Sequence, residues 1–186
     1  MLEGTIILIF YWMIGIWLVG GFCTLFLNYN PSVANKFTYV SSMIGSLLGI
    51  IVAILSFTYN APITLFSWTI AQNIEFTFSL DYLSAFFLLI ISGIAFIISI
   101  YAPSYTKKYE GIKNVSLLGL GFNIFLLSMV GVVLAANGVT FLIMWETMSL
   151  VSFFLVIYEH EQIAVRNSAM LYVIMTHLGT GFIIVS

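Results

Sequence analysis

Charge is scarce in this chain. Its 186 residues include five Lys or Arg and seven Asp or Glu, 6% in all, against 62% hydrophobic residues. That polar complement cannot cover a globule in water, which excludes a soluble enzyme or binding domain and implies an integral membrane protein. Cysteine is nearly absent as well. The single Cys23 has no partner for an internal disulfide or for a metal or iron–sulfur site, and reads as a buried thiol packing as a small hydrophobe. No glycine-rich phosphate loop, nucleophile elbow or zinc signature occurs, so redox chemistry is not expected of this chain itself. Basic residues are missing ahead of the first apolar run, MLEGTIILIFYWMIGIWLVGG, and no small-residue cleavage site closes it. We read it as a retained span and not as a signal peptide. With five cations in total, no nucleic-acid partner is expected.

What the chain does contain is long apolar runs. A hydrocarbon core about 30 Å thick takes roughly 20 residues of helix to cross, and the runs are continuous, unlike the alternating pattern of an outer-membrane barrel. The expected fold is therefore an all-α polytopic bundle of six spans, at 5–27, 37–58, 82–103, 115–136, 139–157 and 168–186. NYNPSVANK (28–36) is expected to break the first pair, because proline and asparagine favour turns. Asn137-Gly138 makes the tightest connection, so spans four and five should be antiparallel neighbours. In the longest connection, IEFTFSL alternates Ile74, Phe76, Phe78 and Leu80 against Glu75, Thr77 and Ser79. Paired with ITLFSW (63–68) across Ala71-Gln72-Asn73, it predicts a short hairpin on the membrane surface between spans two and three.

Counting connections alternately by side places Lys36, Lys107, Lys108, Lys113 and Arg166, every basic residue in the chain, on one face. The other face carries Glu3, Glu75 and Asp81. The positive-inside rule makes the basic face cytoplasmic and turns the N-terminus outward.

Two titratable residues fall in mid-span. Glu146, in FLIMWETMSL, is too deep to snorkel, and an ionised acid there costs at least about 2.5–3.5 kcal/mol. It must be protonated, paired or facing water, each of which a proton or cation relay needs; the plainer alternative is a neutral acid bonding a neighbouring helix. Ser149, one turn on, shares its face, with Trp145 beside it and Ser152 further round; hydroxyls there either assist the carboxyl or simply let helices approach. His177, in MLYVIMTHLGTGFII, has Thr180 on its face and Thr176 adjacent. Its ordinary pKa suits proton exchange near neutrality, and it is the sole basic candidate within the spans to partner Glu146. Asp81 opens span three, as a helix cap or as an ion-access point. Glu159, His160 and Glu161 in YEHEQ read as a solvated helix end, or as a loose proton or metal collector.

LDYLSAFFLLI, WETMSLVSFFLV and AMLYVIMTHLGTGF together resemble the antiporter-like membrane subunits of respiratory complex I, Mrp-type cation/proton antiporters and energy-converting hydrogenases. The WE-x-MSL and MTH-x-GT wording is most similar to the hydrogenase-4 component B and formate hydrogenlyase branch. The resemblance runs from about residue 76 onward. It implies a fourteen-helix fold with two inverted five-helix repeats, each forming half of an ion path. It also implies that Glu146 corresponds to a fifth-helix glutamate that modulates a lysine on a broken seventh helix. His177 falls where the hydrogenase branch has histidine and complex I relatives have arginine.

On that resemblance, residues 1–80 form spans one and two with the hairpin, and 81–186 begin an ion-translocating repeat that six spans leave incomplete. The expected partners are other membrane subunits, including one that supplies the remaining helices and a charge partner for Glu146, and peripheral redox subunits carrying iron–sulfur clusters and a nickel–iron centre. The expected place is a prokaryotic inner membrane. An Mrp-type antiporter subunit without redox partners, and a structural membrane anchor, are the alternatives.

Overall fold

The computed structural model describes residues 2–59, 61–71 and 74–185. It has six helices long and apolar enough to cross a membrane: α1 (Leu2–Phe26), α2 (Pro31–Thr58), α3 (Tyr82–Thr106), α4 (Val115–Leu134), α5 (Gly138–Val156) and α6 (Ile163–Val185), with strands β1 (Ile63–Ala71) and β2 (Ile74–Leu80) between α2 and α3.

Local chemistry sets where the helices begin. The side chains of Asn30, Asp81, Asn114 and Asn137 each accept from an amide three residues on, satisfying a group the first turn leaves free. Two helix starts differ most from expectation. The first break is only a short turn ending at Asn30, because Pro31 takes the first helical position, where its missing N–H costs nothing, and α2 runs on through Lys36. Helix α6 likewise starts at Ile163 and takes in Arg166.

Helices α1 to α4 form the core, α5 packs on α4, and α6 leans on α5. Lipid is as apolar as leucine, so burial alone does not hold such helices together; close packing at small residues and buried hydrogen bonds do. Trp17, fully buried, lies against Gly45 and donates from Nε1 to the Ser42 carbonyl at 3.2 Å. Ser42 also donates to Oδ1 of buried Asn123 on α4 at 3.0 Å. A third bond set ties α2 to the far end of α3: Asn35 Nδ2 donates to the Pro103 carbonyl (3.1 Å) and to Glu110 (2.8 Å), and its Oδ1 accepts from Thr106 (2.7 Å).

The strands form an antiparallel pair, with Phe66 opposite Phe78 and Trp68 opposite Phe76, and register shifts on either side. Of the expected turn, Gln72 and Asn73 lie outside the described residues. The hairpin is not loose on the surface. The Ala136 amide donates to the Thr77 carbonyl at 2.9 Å, the Thr77 amide to Thr140 Oγ1 at 2.9 Å, and Asn137 Nδ2 to the Glu75 carbonyl at 2.9 Å, locking β2 onto the α4–α5 turn. Tyr11 of α1 donates to the Leu65 carbonyl at 2.8 Å. The hairpin thus shares a face with Glu3, and the five basic residues stand at the other end.

Candidate functional site

Helices α5 and α6 are antiparallel, and each places its titratable residue at mid-length. Glu146 is eight residues past Gly138 and His177 eight before Val185, so both lie about 12 Å in depth from the hairpin face at 1.5 Å per residue. The crossing brings them together. His177 Nε2 is 3.5 Å from Glu146 Oε2, with 50% and 31% of the two side chains exposed on the open side of the bundle. Glu146 therefore lies against His177, the one basic candidate that the sequence offers within the spans.

The histidine's other nitrogen decides its chemistry. Nδ1 lies 2.9 Å from the Val173 carbonyl, and a carbonyl only accepts, so Nδ1 keeps its hydrogen. Nε2 is then the nitrogen that faces the carboxyl. At 3.5 Å the two atoms stand in ion-pair range and beyond the usual hydrogen-bond length, so a single proton on the pair leaves either a neutral acid beside imidazole or an imidazolium–carboxylate pair, and its transfer needs a closer approach or a bridging water.

A second contact holds the same helices in register one level nearer the basic face. The hydroxyls of Ser152 on α5 and Tyr172 on α6 share a hydrogen bond. Sequence reasoning missed Tyr172; the available signal was its position five residues before His177, matching Ser152 six after Glu146 on an antiparallel partner. Ser149 is buried, and its carbonyl accepts from Ser152 at 3.2 Å. Thr180 is buried and donates to the Thr176 carbonyl at 3.1 Å, so its proton is committed to its own helix. Trp145 Nε1 is buried with no hydrogen-bond partner among the described residues.

Asp81 stands apart from the pair, on the hairpin face. Its Oδ1 accepts from the Ser84 amide at 2.7 Å, and that bond holds its carboxyl below the ordinary aspartate value. The geometry is that of a cap. At the opposite face, Glu159 accepts from Tyr109 at 2.5 Å and lies 3.8 Å from Lys108, and Glu161 lies 2.5 Å from Lys113. The acids of YEHEQ thus clasp the α3–α4 connection, and the Lys113 ammonium holds the Glu161 carboxyl below its ordinary value.

Residues 63–114, spanning the hairpin, α3 and the loop after it, match the family model described as NADH-ubiquinone oxidoreductase (complex I), chain 5 N-terminus. The chain is an antiporter-like membrane protein. Hydrogenase-4 component B of Escherichia coli K12 is 34% identical to it over 178 residues, which is 94% of the antiporter-like chain and 26% of that relative. Subunit L of the NADH-quinone oxidoreductase of the same organism is 31% identical over 68% of the chain and 20% of its own length. A putative antiporter subunit of Staphylococcus saprophyticus is 32% identical over 63% of the chain and 15% of its own length. The chain therefore spans about a quarter or less of these relatives. The fold is also that of a chain in the membrane-bound sulfane sulfur reductase, an archaeal respiratory membrane complex, with TM-score 0.78 and 16% identity over 95% of this chain and 35% of that one.

Proposed function

We propose that the antiporter-like chain supplies part of a proton or sodium path in a redox-driven membrane complex of the energy-converting hydrogenase or complex I-like kind, in a prokaryotic inner membrane. The observation that carries this reading is the Glu146–His177 pair at mid-depth, with the imidazole tautomer held by the Val173 carbonyl. A proton passing between Oε2 and Nε2 changes the charge that each presents to neighbouring helices, and a charge brought near by a partner subunit shifts that proton in turn. The pair is a relay station and not a whole route. Further membrane subunits extend the path, and peripheral subunits holding iron–sulfur and nickel–iron centres supply the energy. Ser149 and Thr180 line the neighbourhood as hydroxyls at which water is held.

The likeness to an antiporter subunit supports a second reading, cation/proton exchange without redox partners. Metal analysis of the gently solubilised complex separates the two: nickel and iron favour the first. The relay is tested by Glu146→Gln and His177→Gln in native membranes. Coupled ion movement is expected to fail in both while assembly persists; wild-type movement in Glu146→Gln would refute the role.

A further inference from the structure

Helices α4 and α5 pack through a glycine at each of two levels. Toward the hairpin face they close tightly: Gly131 has no side chain, and Met144 of α5 fills the space, so close that a Cβ there would lie 2.9 Å from Met144 Cγ. Toward the basic face Gly121 likewise admits Leu155 of α5, a Cβ there lying 3.0 Å from Leu155 Cδ2, and a cleft lies beside that contact. It measures about 790 Å³, within the roughly 300–1,000 Å³ range of ligand sites, and is lined by Leu117, Gly121 and Ile124 on α4 and Val151 and Phe154 on α5. Leu117 and Phe154 are 56% and 66% exposed in it.

Its depth and its mouth point to one kind of occupant. From Asn114 to Ile124 is about 15 Å at 1.5 Å per residue, half of a hydrocarbon core about 30 Å thick. An acyl chain of one leaflet needs a groove of that depth. The mouth is formed by Lys113, His160 and Glu161. Two of the three Lys113 N–H groups are taken, by the Tyr158 carbonyl at 2.8 Å and Glu161 Oε2 at 2.5 Å, which leaves the third on a side chain 17% exposed. The N-terminal end of α4, which favours an anion, opens at the same rim. Glu161 is 59% exposed beside it. The rim thus offers one cation and one carboxylate side by side, the complement of a headgroup bearing both a phosphate and a primary ammonium.

We propose that the α4–α5 cleft is a binding site for a zwitterionic phospholipid of the phosphatidylethanolamine type, its acyl chain lying between Leu117 and Phe154, its phosphate on Lys113 and its ammonium on Glu161. The assignment does not depend on the ion path. An anionic phospholipid would meet Glu161 with no amine to balance it.

The test is native mass spectrometry of the purified full chain, delipidated and titrated with phosphatidylethanolamine and phosphatidylglycerol of the same acyl composition. The wild type is expected to retain phosphatidylethanolamine preferentially. Glu161→Gln should remove that preference by about fivefold, the size of an exposed ion pair. Leu117→Trp, at a position 56% exposed, should displace either lipid. Equal or stronger retention of phosphatidylglycerol by the wild type overturns the proposal. So does unchanged retention in Leu117→Trp, with circular dichroism confirming that the variant is folded.

Discussion

Coupling between Glu146 and His177 is measurable apart from any transport assay, through Glu146→Gln, His177→Gln and the double variant. At 3.5 Å, two unit charges attract by about 1 kcal/mol in water-like surroundings and about 5 kcal/mol at the effective dielectric of a protein surface. The side chains are 31% and 50% exposed, so screening draws an ionised pair in a solvated setting toward the lower figure, while closure by a neighbouring subunit raises it. A neutral hydrogen bond between membrane helices averages about 0.6 kcal/mol and reaches about 1.7 kcal/mol. A cycle measured on the docking of α6, by equilibrium unfolding in mixed micelles, should therefore give at least about 0.6 kcal/mol. A value clearly above about 1.7 kcal/mol identifies the ionised form. A coupling within the roughly 0.3 kcal/mol additivity error of distant sites would refute the pairing and with it the relay built on it.

Asp81→Ala should destabilise the first turn of α3 by about 1 kcal/mol, read as faster hydrogen exchange at Ser84. Because the cap bond lowers the acid's folded pKa from 3.8, its contribution is complete above the unfolded value and is lost as pH falls through the folded one; Asp81→Asn should flatten that dependence. Gly45→Val is expected to cost about 1–3 kcal/mol or more in thermal stability, since a Cβ there lies 2.6 Å from Cδ1 of the fully buried Trp17. Gly93→Val, with nothing within 4 Å of its Cβ position, serves as the control that should leave stability nearly unchanged.

Several features of this molecule are legible in its amino-acid order, and for plain reasons. Length and continuity of the apolar runs locate six helices, because crossing lipid admits few other solutions. Alternation in IEFTFSL locates a strand, and mid-span placement singles out Glu146 and His177. Asn30-Pro31 misleads only in that a turn signal and a helix-start signal use the same two residue types; the capping bond to Val33 decides between them.

By itself, then, the sequence determined that these residues lie in a membrane, how many spans they form, which end bears the positive charge and which two mid-span residues carry an acid and an imidazole. Tertiary structure alone decided that those two residues meet. It also decided that the hairpin is locked to the α4–α5 turn, that Glu159 and Glu161 hold the α3–α4 connection, and that a cleft lies beside α4 and α5 toward the basic face. The reason lies in the solvent. Hydropathy selects helices, but among surroundings as apolar as the helices themselves it does not set their rotation or spacing. Those depend on where small residues such as Gly45 and Gly131 admit a neighbour, and on single hydrogen bonds between residues far apart in the chain.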